Sequence, residues 1–281
     1  MREEERKYEV GPLFALPELS GAAPEGGRIT EQPPLTLRAT YYDTDDLRLA
    51  RGGASLRHRS GESGPPWTVK LPSGEANIRQ EIAVPGSADR IPRELVSLVT
   101  AYTRGAPLAS ISTLQTIRHR YLVTDAAGTA LAELVDDTVT VLDGETVRSR
   151  FRELEVERRA GPRSVLDRVE QVLLAAGAVR PTAFTPKIVR ALGPRASEPP
   201  ELPPPQPLGT APTAADVLVE ALRTETGRLL AHDPAVRLAP DDPDGLEQLR
   251  TACRRLRTDL RGFAPLFQEP AADPGPVPEA G

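Results

Sequence analysis

Charged side chains recur at every second position in several short segments of this chain. Glu3, Glu5 and Lys7 form one such row, Arg57 and Arg59 another, and Arg79 with Glu81 a third. Arg118 and Arg120 follow, then Glu153, Glu155 and Glu157. Lys70 alternates against Trp67, Val69 and Leu71. Carboxylates in this number suit a hard divalent cation such as Mg²⁺ or Mn²⁺. Guanidinium rows suit phosphate, which arginine grips through two bonds at once. A metal between carboxylates and a phosphate chain is what phosphoryl transfer requires, because that chemistry is mostly positioning and neutralisation of charge. Such a metal can also activate a water as nucleophile.

A spacing of two places these groups on one face of a strand. Any one strand of this kind also fits an ordinary sheet with its polar face in water. The combination argues further. Residues two apart on a strand lie about 7 Å apart, and like charges at that distance repel by roughly 2 kcal/mol at an effective dielectric of 20. The glutamate row therefore calls for a cation, and the arginine rows call for anions.

The elements that must hold these rows are legible as short runs broken by turns. Strands are expected at Glu3–Val10, Thr36–Asp43, Ala54–Arg59, Trp67–Leu71, Asn77–Val84, Leu114–Thr124, Ala130–Leu142 and Arg150–Arg158. Gly52-Gly53, Ser73-Gly74, Ala127-Gly128 and Asp143-Gly144 supply turn chemistry between them. Helices are expected at Pro92–Thr103 and Ser164–Ala176, the latter with Val165, Leu166, Val169, Leu173 and Leu174 on one stripe and Gly177 as its stop. The fold class is α+β, dominated by antiparallel strands, as a sandwich or barrel. A Pro-rich linker is expected over 193–212, helices over 213–267 with Thr213 as an N-cap, and a disordered tail over 268–281.

Composition narrows the class. With 35 basic and 40 acidic side chains the net charge is −5, which is not a nucleic-acid-binding balance. The single cysteine, Cys253, allows no internal disulfide, in keeping with a reducing cytosol. No apolar run approaches the ~18 residues that cross a bilayer, and the charged start is unlike a signal peptide. A cytoplasmic location without membrane attachment is expected.

The run of motifs resembles the CYTH domain, or triphosphate tunnel metalloenzyme, family. Glu3-Glu4-Glu5-Arg6-Lys7 is similar to its E-x-E-x-K signature. Tyr41-Tyr42-Asp43-Thr44, Leu56-Arg57-His58-Arg59, Trp67-Thr68-Val69-Lys70-Leu71-Pro72 and Arg79-Gln80-Glu81 continue the resemblance. Thr116-Ile117-Arg118, Asp136-Asp137-Thr138-Val139, Phe151 to Glu157, and Pro186-Lys187 complete it, over residues 1–192. The resemblance implies a closed eight-stranded antiparallel β-barrel with a charged interior, flanking helices, and a short all-α segment behind it. It implies that Lys7, Arg57, Arg59, Lys70, Arg118 and Lys187 hold phosphate. Arg120 and Glu133 share strand faces with matched residues and are candidate additions to the site, Arg120 on the phosphate side. Glu3, Glu5, Glu81, Asp137, Glu153 and Glu155 would bind Mg²⁺ or Mn²⁺, and Glu3, Glu5, Lys7 and Glu155 would act in catalysis. Asp136 rivals Asp137, because strand register is open there. Glu157 is placed beyond the metal, near a tunnel mouth. His58 and His119 point away from the arginine rows and read as structural. Tyr42 and Asp43 read as fixing a strand end.

The implied activity is a divalent-metal-dependent hydrolase of inorganic triphosphate, with metal-activated water as nucleophile. A non-catalytic polyphosphate- or nucleotide-binding module stands as an alternative. So does an organic-triphosphate enzyme of the thiamine triphosphatase or class IV adenylate cyclase kind. Gln248-Leu249-Arg250-Thr251-Ala252-Cys253-Arg254-Arg255-Leu256-Arg257 resembles the start of a CHAD domain, a helical polyphosphate-binding module, with Glu247 where that family has His.

Overall fold

Each of the eight expected strands forms, and they are hydrogen-bonded in the order β1-β5-β4-β3-β2-β6-β7-β8. The strands are β1 (Arg2–Glu9), β2 (Arg28–Asp43), β3 (Ser55–Ser60), β4 (Trp67–Pro72), β5 (Ile78–Val84), β6 (Ala109–Thr124), β7 (Ala130–Asp143) and β8 (Thr146–Arg158). The computed structural model describes residues 2–11, 13–72, 78–182 and 185–267, without the side chains of Arg2, Glu3 and Leu266. The expected turn at Ser73-Gly74 and the tail 268–281 lie outside the described residues. β8 returns to pair with β1, so the sheet closes on itself. Closure removes the exposed edges that an open antiparallel sheet would have to protect.

The second strand is longer than its sequence suggests. Pro33-Pro34 would end an ordinary strand, since proline has no N–H for the ladder. Here the register of β2 against β6 shifts between Gln32 and Leu35, and the prolines sit in that irregularity, so pairing continues back to Arg28. Gly128 and Gly144 take φ of +85° and +60° in the β6–β7 and β7–β8 turns, a conformation that costs glycine little.

Helices α1 (Arg48–Arg51), α2 (Arg93–Leu98), α3 (Thr100–Thr103), α4 (Arg163–Ala175), α5 (Lys187–Leu192) and α6 (Pro194–Ser197) cover the barrel. The helix expected over Pro92–Thr103 breaks at the fully buried Val99, whose backbone (φ −99°, ψ 4°) leaves the helical region. Outward side chains Tyr8, Val123, Leu134, Leu154 and Val156 pack on Val165, Leu166, Val169 and Leu173 of α4. Leu56, Trp67, Val69 and Leu71 pack on Leu95, Leu98, Val99 and Tyr102. The third cluster lies at one end of the barrel interior. There Tyr41, Leu114, Val139 and Val141 meet Ile188 and Val189 of α5, with Ala196 of α6. This first compact unit runs from Met1 to Glu201, because α6 packs with the barrel and Arg51 donates to the Pro199 carbonyl at 3.0 Å.

The second unit, Leu202–Gly281, contains α7 (Ala214–Leu238) and α8 (Pro243–Gly262), which pack on each other. Thr213 and Asp216 form a reciprocal capping box at the start of α7. Buried Glu225 is paired with Arg228 and Arg255, each at 3.3 Å. Leu249 and Leu256 are half-buried and Leu260 is exposed. Among the described residues no helix is long and apolar enough to cross a membrane.

Candidate active site

Closure turns the alternation of charge into an enclosed pattern. Glu5, Lys7, Tyr41, Arg57, Arg59, Lys70, Arg79, Glu81, Arg118, Arg120, Glu133, Glu155, Glu157 and Lys187 all line one cavity of about 320 Å³. Register sets their rows. Glu5 lies opposite Glu157, and Glu157 opposite Glu133. One step along, Lys7 lies opposite Glu155. On the next row Glu153 lies opposite Asp137, and Asp137 opposite Arg118. The interior is therefore bipolar. Carboxylates concentrate on the adjacent strands β7, β8 and β1, and cations on β3, β4, β5 and β6. Lys7 and Glu81 are the exceptions, and each is paired, Lys7 with Glu155 and Glu81 with Lys70 at 3.1 Å.

Asp137 and Asp136 divide between the two faces. Asp137 is fully buried and accepts from Arg118 Nε and Nη2 at 2.8 and 2.7 Å, and from Lys187 Nζ at 2.7 Å. Asp136 faces outward, where it accepts two bonds from Arg152. Lys187 also reaches Glu153 at 2.9 Å and Glu155 at 3.3 Å. It does so because Pro186 starts α5 at the barrel end and puts Lys187 on its first turn. Burial opposes the Lys187 charge, but Asp137, Glu153 and Glu155 hold the ammonium well above the ordinary lysine range. Burial likewise opposes the Lys7 charge, and Glu155, Glu5 and Glu153 overcome it and raise its pKa. Burial pushes Glu155 upward, yet Lys187, Lys7 and Arg118 carry it well below the usual carboxylate value.

Glu157 behaves oppositely. Burial dominates over Arg118 and Arg159, and its carboxyl is pushed up. Glu5, Glu155 and Glu157 bring carboxylate oxygens within 4.8 Å of one another, and all three are buried. The Glu5 carboxylate makes no ion pair or hydrogen bond with a described residue. Lys7 pairs with Glu155 and Arg159 lies 2.9 Å from Glu157, but like charges directly across a ladder still destabilise it, and three hard oxygen donors fit Mg²⁺ or Mn²⁺. Glu157 thus belongs to the centre of the acidic wall, not to a mouth beyond it. The β1–β8 register, invisible in the strand itself, puts it opposite Glu5.

The other expected residues divide as follows. The Glu3 side chain lies outside those described, and its backbone pairs with Arg79. Glu81 lines the same cavity, pairs with Lys70 at 3.1 Å, and is not among the three clustered carboxylates. Glu153 turns toward Lys187, Lys7 and Arg190. Arg120 donates to Glu133 at 2.7 Å. His58 packs against Trp67 and His119 lies 3.9 Å from Glu31, both apart from the cavity lining. Buried Asp43 accepts from the backbone N–H groups of Thr44, Leu49 and Ala50, fixing the end of β2 to α1. Tyr41, which the Tyr41-to-Thr44 motif contains without assigning it a role, also lines the cavity. Its hydroxyl accepts from Arg57 at 3.4 Å, and although burial raises its pKa, Arg57, Lys187 and Arg59 lower it overall. Its shared parity with Ala39 and Leu37 on β2 was the available signal. Arg159 also lines the cavity, from just beyond the end of β8, where it continues the row of Glu153, Glu155 and Glu157; that parity was the available signal.

Residues 1–181 match the CYTH domain family and residues 220–275 match the CHAD domain. Uncharacterized proteins of Mycobacterium tuberculosis, strains CDC 1551 / Oshkosh and H37Rv, are each 34% identical over 276 residues, covering 92% of this chain and 51% of theirs. The chain spans about half the length of these curated relatives. Among solved structures, a Pyrococcus horikoshii OT3 protein is 16% identical over 68% of this chain and 97% of its own, with a TM-score of 0.38. A proposed adenylyl cyclase from Hippeastrum, described with a dominant triphosphatase activity, is 15% identical over 69% of this chain and 98% of its own, with a TM-score of 0.39. The ordered motifs, the closed eight-stranded barrel and the match over residues 1–181 lead to one assignment: the chain belongs to the CYTH domain family.

Proposed function

We propose that the barrel is a divalent-metal-dependent triphosphate hydrolase acting on inorganic triphosphate. The observation that carries this reading is the bipolar interior, with an acidic wall holding the Glu5–Glu155–Glu157 triad and a basic wall of Arg57, Arg59, Lys70 and Arg118 across the same cavity. A phosphate chain against the basic wall and a cation against the triad would neutralise both walls at once. Mg²⁺ or Mn²⁺ bound there supplies positive charge at the phosphate and a more acidic water.

The chain's own groups supply the rest. Arg57, Arg59 and Arg118 orient the phosphate chain by paired hydrogen bonds. Lys70 and Lys187 add compact charge, which electrostatically favours a transition state with charge spread over phosphoryl oxygens. Lys7, fixed against Glu155, keeps its proton and serves as a cation. Partial burial of these cations inside the barrel strengthens their electrostatics relative to open solvent. A lining that is mostly charged suits inorganic phosphate better than a base or a thiazolium ring.

Phosphate release from inorganic triphosphate, ATP and thiamine triphosphate, with Mg²⁺ or Mn²⁺, tests this. Release from inorganic triphosphate in preference to the other two is expected. Conversion of ATP to a cyclic nucleotide would favour the cyclase alternative. No turnover of any of the three would sink the enzyme reading.

A further inference from the structure

The outer face of β1 is as specifically engaged as its inner face. Glu5 and Lys7 enter the cavity, while Glu4, Arg6 and Tyr8 alternate with them toward α4. Glu4 lies 2.8 Å from Arg163 Nε and accepts from Arg158 at 2.7 Å. Arg6 donates to Asp167 at 2.7 Å and to Glu170. Glu170 is buried at 2% exposure and is paired on its other side with Arg180. Tyr8 is buried in the cluster that contains Val169 and Leu173. Positions 163, 167 and 170 fall on one stripe of α4. That stripe reads basic, acidic, acidic against acidic Glu4 and basic Arg6.

The ladders hold β1 unevenly, with a further bridge at its end, where Glu9 pairs with Val179. The pairing of β1 is divided: Arg2 to Glu4 pair with β5, and Glu5 to Glu9 pair with β8. The change of partner falls at Glu5, so neither ladder fixes the strand along its whole length. A slip of one residue would turn Glu5 and Lys7 outward, and would set Arg6 away from Glu170.

We infer that Arg6 and Glu170 are positioning residues: through α4 they fix the register and depth of β1, and so place the Glu5 carboxylate and the Lys7 ammonium. Neither touches the cavity. The consequence for metal binding rests on the proposed triphosphate site, whereas the hold on β1 does not.

Two readouts on the full chain separate these. Hydrogen exchange at the β1 amides is compared in wild type, Arg6→Gln, Glu170→Gln, Arg6→Lys and Leu95→Ala. Mn²⁺ binding is followed in the same proteins by electron paramagnetic resonance. Arg6→Gln and Glu170→Gln should speed exchange at Glu5 to Lys7 without speeding it in β3, and should weaken Mn²⁺ binding by ~10-fold. Arg6→Lys, which keeps the charge, should restore most of both. Leu95→Ala, a core change in α2, should lower Tm yet leave both readouts as in wild type. Unchanged β1 exchange in the two Gln variants would overturn the inference, as would loosened exchange with full Mn²⁺ affinity. If wild type itself binds no Mn²⁺, the functional reading fails, and exchange still decides whether α4 holds β1.

Discussion

At the scale of single residues, Glu5 and Glu157 oppose each other across the β1–β8 ladder, with Glu133 next in the same row. Directly opposed like charges cost stability, and the upward push on the Glu157 carboxyl has the same sign. Glu157→Gln should therefore raise the Tm of the metal-free protein by a few degrees, while weakening Mn²⁺ binding. A thermal scan with and without Mn²⁺ checks this; a lower Tm in the metal-free variant would contradict it. Asp137 has the opposite sign. Burial raises its pKa, but Lys187 and Arg118 outweigh burial and hold it below the ordinary 3.8. A depressed carboxyl stabilises the fold fully above its unfolded value, and that contribution is lost as pH falls through the folded one. Acid unfolding of wild type should thus steepen below about pH 4, and Asp137→Asn should flatten that limb and destabilise the protein at neutral pH by ~3–5 kcal/mol, leaving Arg118 and Lys187 short of a counter-charge. The rows themselves were legible, because alternation of charge is local. The choice of Asp137 over Asp136, and the central place of Glu157, were not, because each depends on which residue of another strand lies opposite.

At the scale of elements, strands and main helices follow from hydrophobic period and turn residues. The differences have particular causes. Pro33-Pro34 hid the first half of β2, which a bulge accommodates. The one-turn α1 is capped mainly by one side chain: Asp43 accepts from Thr44, Leu49 and Ala50, at 2.7, 2.9 and 2.9 Å, while Thr44 Oγ1 accepts from Arg48 N at 3.0 Å. Asp43→Ala leaves three buried N–H groups unsatisfied and should cost ~2–4 kcal/mol by denaturant titration. An unchanged midpoint would show that the turn finds other acceptors. Helix α5 has a similar economy, since one short element both fills an apolar barrel end and delivers Lys187 to three carboxylates.

At the scale of the whole molecule, the property that matters is one no segment possesses. Acidic strands β7, β8 and β1 and basic strands β3 to β6 face each other only because β8 closes onto β1. Sequence periodicity shows that each strand has a charged face. It does not show that these faces are inside, which depends on a long-range pairing between the two ends of the sheet. The most direct test of this account is calorimetric titration of inorganic triphosphate into the full chain, with and without Mn²⁺, in wild type and Glu155→Gln. The account predicts binding that Mn²⁺ tightens in wild type, and metal-independent residual binding in Glu155→Gln. Binding that is absent, or equally tight without Mn²⁺ in both proteins, would contradict it.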